Sequence, residues 1–485
     1  MSEASEPGSA APAPPAAPAP PEVPAPLRHN RNWRLLWLGQ SVSATGDMVF
    51  YVTVLLWIAT IIAKGLPWAP AAASGALIAT AAPVLVVGPL AGVFVDRWDR
   101  RRTMLVADAA RFFLVASLLV VPLLRHHLPV GAQLAILYTV LAACSCFAEF
   151  FDPSRLAVVG AIVPPAQQPQ ASALLSAAFS LAQVIGPPLA APLLFTLGVQ
   201  WALIFNAASF GFSFICIRAI SVPLRPSAEA PPREGFVAEF RTGLKFFAGN
   251  RVLLALGAGL VLTMLGLGAV NSLVAFFVPH NLHVQASWLG TIMGGVGGGS
   301  IAGALLAGAI ARRVRPSRLF WISLLGCGIT LVGLSRMTSL LPAIVIAALL
   351  GIAAGILNAV FSPIILEVTP SRLLGRVSAV LSPLQQLASI VSMVLAGLLA
   401  STILHDFSAN FIGLHFGPYD TLFAAGGLLI LLAGLTTIAP LNKAARTEPI
   451  DAARSPGAAS PSTETGPGLA QETGPGLATE IGQES

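Results

Sequence analysis

The chain has 485 residues, of which 55% are hydrophobic and only 10% charged, with a formal net charge of +6. Soluble domains carry about 25% charged residues, so a water-soluble fold of this size is excluded. Apolar stretches near 33–60, 73–95, 104–124, 130–150, 170–197, 201–222, 252–278, 286–311, 318–336, 340–366, 377–404 and 420–440 can each cross a hydrocarbon core of about 30 Å. They are far longer than barrel strands and do not alternate. An all-α membrane protein with twelve transmembrane helices is therefore predicted.

In chain order, residues 1–30 come first. They are mostly Ala and Pro, have no basic region ahead of the first apolar run, and read as a disordered tail, not a signal peptide. A first bundle of six helices is expected over 31–222. In its first span Asp47 lies 14 residues past Trp33, about 21 Å along a helix and so near mid-membrane. A charged aspartate costs about 2.5–3.5 kcal/mol there, so Asp47 should face a polar cavity. It would handle a proton or a cationic substrate in that cavity, or else pair with a cation. Tyr51 shares its face one turn on. Arg111 in the third span is the available cation, although Asp108, three residues before it, offers Arg111 another partner.

Between the second and third spans, GPLAGVFVDRWDRRR (88–102) stops its apolar run on Asp96 and turns through Arg97, Asp99, Arg100, Arg101 and Arg102. Pairing of Arg97 and Arg100 with Glu149 and Asp152, at the same end of the fourth span, would lock two bundles in one state. The plainer reading is a solvated, topology-setting turn. The fifth span carries Gly186, Pro187 and Pro188, which predict a bend and close helix packing. Residues 223–250 divide the chain. Their second part, from Phe236, predicts a helix along the inner leaflet with Phe236, Phe240, Leu244 and Phe247 on one face and Arg241 and Lys245 on the other.

A second six-helix bundle is expected over 251–440, with a glycine-dense eighth span (Gly290, Gly294, Gly295, Gly297, Gly298, Gly299, Gly303, Gly308). Residues 441–485 contain ETGPGLA twice and read as a second disordered tail. The halves repeat one another. Leu35, Leu36, Leu38 and Gly39 recur as Leu253, Leu254, Leu256 and Gly257, and Pro153-Ser154-Arg155-Leu156 recurs as Pro370-Ser371-Arg372-Leu373. The basic turn returns more weakly at 306–318. Two like bundles moving against each other are transporter architecture.

Orientation follows from the 27 Lys and Arg. The termini and even-numbered turns hold 23, the odd-numbered turns hold three, and Arg111 lies within a span. Both termini are therefore expected in the cytoplasm, with the chain in the plasma (inner) membrane. The positive charge is a topology signal and needs no nucleic acid. Cys144, Cys146, Cys216 and Cys327 all lie in predicted spans without His or carboxylate beside them, so neither a metal nor a cofactor is expected. No nucleophile–base or phosphate-binding arrangement points to an enzyme.

Twelve spans, a six-plus-six repeat, a long middle loop and the G-x-x-x-D-R-x-x-R-R turn (Gly92, Asp96, Arg97, Arg100, Arg101) resemble the major facilitator superfamily. Asp99 stands where that family usually has glycine. The SVSATGD run at Ser41–Asp47 and the DRWDRRR turn are similar to the branch containing macrolide-efflux and enterobactin-export proteins. The resemblance implies the major facilitator fold, with the gate formed by Gly92, Asp96, Arg97, Arg100, Arg101, Glu149 and Asp152. It also implies that Asp96 faces the start of the eleventh span near Gly375–Ser378, and that Gly186 and Pro187 meet Gly294 and Gly298 across the bundle interface. The Gly-Pro pair is like that of the family's antiporters. The arginine that drug antiporters keep deep in the fourth span is missing from 130–148, which leaves Asp47 with Arg111 to take its place. The implied activity is proton-coupled export of a small amphipathic compound (a drug, macrolide or siderophore) by a monomer in the lipid bilayer. A lysolipid flippase and an importer share the fold and are the alternatives.

Overall fold

The computed structural model describes residues 26–95, 98–221, 236–311, 313–370, 373–411 and 414–451. Twelve helices in it are long and apolar enough to span a membrane: α1 Arg31–Ile62, α2 Ala69–Val86, α3 Arg100–Leu123, α4 Val130–Ile162, α5 Pro165–Leu197, α6 Val199–Arg218, α7 Arg251–Asn281, α8 Ala286–Ile310, α9 Pro316–Ser335, α10 Leu340–Val368, α11 Val380–Ser401 and α12 Pro418–Asn442. Side chains close several of their ends. Asn30 accepts from the Trp33 amide at 3.1 Å and donates to the Ile162 carbonyl at 2.7 Å, which ties the start of α1 to the end of α4. Asp99 caps α3 through the Arg102 amide at 2.7 Å, and Asn250 caps α7 through the amides of Val252 and Leu253. Each cap supplies an acceptor that the first turn lacks.

Several boundaries differ from the sequence reading. Leu27–His29 form a 3-10 turn with Leu27 buried, so the first tail ends earlier than residue 30. Leu27 joins a cluster with Trp33, Leu36, Phe151 and Ile162, and that burial holds it. α4 continues twelve residues past the expected end at 150, because the charged groups Asp152 and Arg155 neutralise each other one turn apart and do not break the helix. The last helix runs on to Asp451, eleven residues into the segment read as a tail; Lys443, Ala444, Ala445 and Arg446 are good helix formers. The second expected span is two helices, Ala69–Val86 and Gly88–Val95, parted at Val87 between Pro83 and Pro89. A short antiparallel pair, β1 Ala409–Phe411 and β2 Leu414–Phe416, lies between α11 and α12, with Asn410 opposite His415.

The helix Phe236–Gly249 forms where the middle segment predicts one. Phe247 is buried, and its ring fills the space that a side chain at Gly257 of α7 would need. Leu244, expected on the same apolar face, is exposed.

Among the described residues, α2 with α11 and α5 with α8 make the main contacts between the two sets of six helices. In α2 and α11, the Ala71 amide donates to Ser401 Oγ at 3.1 Å, Gly397 packs on Ser74, and Gln386 Nε2 donates to the Ala81 carbonyl at 3.3 Å. Between α5 and α8, Gly290 packs on the Pro187 carbonyl, Gly294 on the Pro188 ring and Gly297 on the Gln183 carbonyl. Toward the end where α1 begins, faces of α1, α3, α4 and α5 line an open cavity.

Candidate functional site

Small residues on α1 bring its neighbours close enough to build the site. A Cβ on Gly46 would overlap Ser209 Oγ of α6, and one on Gly39 would lie 3.1 Å from the Cβ of Cys216. A Cβ on Gly186 of α5 would stand 2.5 Å from the Cβ of Met48. Gly186 therefore faces α1, next to Asp47, and not α8. The residues that meet α8 are Pro187 and Pro188. Gly298 has nothing within 4 Å, and Gly297 takes its expected place. The glycines at 290, 294 and 297 follow the helical i, i+4, i+7 row, from which a further step to 298 turns away.

Asp47 is half-buried and lines two cavities. One is the open cavity toward the end where α1 begins, with Gln40, Asp152, Arg155 and Phe179 among its walls. The other is a chamber of about 230 Å³ within the first bundle, lined by α1, α2, α3, α4 and α6 and including Tyr51, Thr80, Cys144 and Asn206. Asp47, Arg111 and Ala148 belong to both linings, so the acidic group stands in the wall between them.

Arg111 is committed elsewhere. Its Nη2 donates to Asp108 Oδ1 at 2.6 Å, and both side chains are buried. Its guanidinium lies between the rings of Phe151 and Phe210, at 4.5 and 4.6 Å from their centroids, where cation–π attraction adds to the ion pair. Asp47 has no ion pair among the described residues. Two carboxylates and one guanidinium thus leave one negative charge unmatched in the site.

The lengthened α4 adds a cation that the sequence reading placed outside the span. Arg155 pairs with Asp152 at 3.1 Å, and its Nη1 reaches Gln40 Oε1 at 3.5 Å. Gln40 Nε2 in turn donates to Ser213 Oγ at 3.3 Å. The repeat of Pro153–Leu156 was a visible signal for Arg155. Asn206, Ser209 and Ser213, spaced i, i+3, i+7 on α6, form a polar stripe that was equally visible and went unread.

Asp96 and Arg97, central to the expected gate, lie outside the described residues. Gly92 falls in the helix Gly88–Val95. Arg101 caps the far end of α6, donating through Nε to the Ile217 carbonyl at 3.2 Å and through Nη2 to the Arg218 carbonyl. Arg100 opens the helical part of α3 and pairs with neither Glu149 nor Asp152. Glu149 packs on Gly88, where a Cβ would lie 2.8 Å from Oε2.

The family model described as Major Facilitator Superfamily matches residues 36–393 and 259–466. The multidrug efflux pump Tap of Mycobacterium tuberculosis is 29% identical over 371 residues, covering 74% of this chain and 83% of that protein. Macrolide efflux protein A of Streptococcus pyogenes is 22% identical over 381 residues, covering 77% and 91%. In fold, the chain is similar to a bacterial homologue of the iron transporter ferroportin in its inward-facing state, at a TM-score of 0.66 and 15% identity over 85% of this chain and 98% of that one. Twelve spans in two like bundles, cavities that meet at a membrane-embedded carboxylate, and a family match over most of the length lead to one conclusion: the chain belongs to the Major Facilitator Superfamily and is a multi-pass membrane transporter, not an enzyme.

Proposed function

We propose that this transporter exports a small amphipathic compound in exchange for protons, by alternating access, with Asp47 as the group that couples the two. The observation that carries the reading is the position of Asp47, without an ion pair among the described residues, in the wall between two cavities. A carboxylate with no cation of its own accepts either a proton or a cationic group, and the two exclude each other. Binding of substrate from the open cavity displaces the proton. Reprotonation from the other side releases the substrate and lets the bundles return. Tyr51 contributes to the binding surface, while Asp108 and Arg111 position the walls. The open end faces the cytoplasm, as the distribution of Lys and Arg supports, and the protein works as a monomer in the inner membrane. The basic turn from Gly92 to Arg101, with Glu149 and Asp152, closes that end in the opposite state. The named efflux relatives support export over import.

Asp47→Asn tests the reading. The variant should reach the membrane in normal amount and lose export driven by an imposed pH gradient in vesicles. Normal gradient-driven export by the variant overturns the role of Asp47.

A further inference from the structure

The helix Phe236–Gly249 and the start of α7 border an open hollow of about 700 Å³ that the transport scheme does not use. Its described wall includes Lys245, Phe246, Asn250, Arg251 and Leu373, with two bases and no acid. Lys245 and Arg251 are both exposed, and neither has an ion pair among the described residues. The Asn250 side-chain oxygen is already taken by the amides of Val252 and Leu253, so the pull on an anion comes from the two bases.

Packing fixes which way this helix faces. Phe247 lies on Gly257 of α7 beside Leu381 of α11. The opposite face therefore looks outward, and Arg241, Leu244, Lys245 and Ala248, spaced i, i+3, i+4, i+7, are all exposed. A bare leucine between two bases suits a surface that is charged above and apolar beneath. Depth agrees. No charged residue follows Arg251 in α7, whose apolar run starts at Val252, so Lys245 and Arg251 stand at the level of lipid headgroups. Leu254, one turn further on, is exposed at the level of the acyl chains. We infer that the hollow binds an anionic phospholipid of the surrounding bilayer. Lys245 and Arg251 hold its phosphodiester, and Phe246 and Leu254 take the upper part of a chain. A zwitterionic headgroup brings its own cation toward the same bases and is disfavoured. A soluble phosphate would use the bases alone and leave Leu244 and Leu254 bare. Such a site stands whether or not Asp47 couples export.

Dioleoylphosphatidylglycerol and dioleoylphosphatidylcholine share their chains and differ in headgroup charge. Native mass spectrometry of the detergent-purified full chain gives a Kd for the first bound molecule of each. One base at a membrane surface is worth about a fivefold gain for an anionic lipid, so the glycerol lipid should bind roughly thirtyfold more tightly. In Lys245→Gln/Arg251→Gln, checked for folding by thermal unfolding, the ratio should fall to within about threefold of one, and Lys245→Gln alone should lose about fivefold. Arg313→Gln/Arg318→Gln removes the same charge from two exposed positions after α8 and should keep the preference. Equal affinities in the wild type overturn the site. So does a preference that survives in the folded double variant, or one that the control pair loses equally. If millimolar inorganic phosphate displaces the lipid, the hollow is a site for soluble anions and the phospholipid assignment fails.

Discussion

In the six-plus-six repeat the pair α2–α4 of the first half corresponds to the pair α8–α10 of the second, and the two pairs are joined by different chemistry. Between α2 and α4, Tyr138 Oη donates to the Ala72 carbonyl and Ser145 Oγ to the Thr80 carbonyl, both at 2.6 Å. Between α8 and α10, glycines lie directly on facing carbonyls: Gly299 on Ala348, Gly303 on Ile352, Gly351 on Val296 and Gly355 on Ser300. Side chains hold helices apart, whereas glycines let backbones meet. The first half consequently keeps a chamber between α2 and α4, lined by Leu77, Thr80, Leu141 and Ser145. Interior charge follows the same division. Asp47, Asp108 and Arg111 lie within the spans of the first half. The ion pair of the second, half-buried Arg336 with buried Asp420 at 2.7 Å, sits at the ends of α9 and α12. One scaffold has been used for chemistry in one copy and for a tightly packed unit in the other.

The largest effect that would sharpen this contrast belongs to the two ion pairs. Asp108→Asn leaves the Arg111 guanidinium buried without its countercharge, which typically costs about 3–5 kcal/mol. Asp420→Asn should cost less, because the Arg336 side chain remains 20% exposed and stacked on Phe416. Thermal unfolding of the detergent-solubilised variants compares them. Equal losses would break the distinction between an embedded pair and a peripheral one.

Next in size is Gly303→Val. Its side chain would run into the Ile352 carbonyl, and overpacking of this kind costs about 1–3 kcal/mol. The strain should push α8 away from α10 and disturb its contact with α5, so both the melting temperature and the transport rate are expected to fall. Gly75→Ala in α2 is the matched control, since a Cβ there meets the phenol end of Tyr138 at 2.9 Å, a group able to shift. A larger loss for Gly75→Ala would refute the idea that the second half is the tighter pair.

Tyr138→Phe should have the smallest effect. Removing one hydrogen bond to the Ala72 carbonyl costs about 0.5–1.5 kcal/mol. The chamber should widen slightly without loss of fold, seen as a small drop in melting temperature with the protein still monodisperse. A collapse on the scale of Asp108→Asn would mean that the chamber depends on this bond.

The spans were legible because hydrophobicity over some twenty residues is a local property. The end of α4 was not, since a charged pair one turn apart can extend a helix as readily as it can end one. The stripe of Asn206, Ser209 and Ser213 on α6 was visible in the sequence, but the helix it faces was not.

What the sequence by itself determined is that the chain crosses a membrane twelve times in two repeated halves and places Asp47 within the hydrocarbon depth. Composition, run length and internal repetition are enough for that, because a bilayer tests each segment separately. The tertiary structure alone decided that Arg111 pairs with Asp108 and leaves Asp47 free, that Gly186 faces α1, and that Gly297 rather than Gly298 lies on α5. Each of these depends on the rotation of a helix about its axis. That rotation is set by the close packing of neighbouring helices, and a shift of one residue turns a side chain by about 100°.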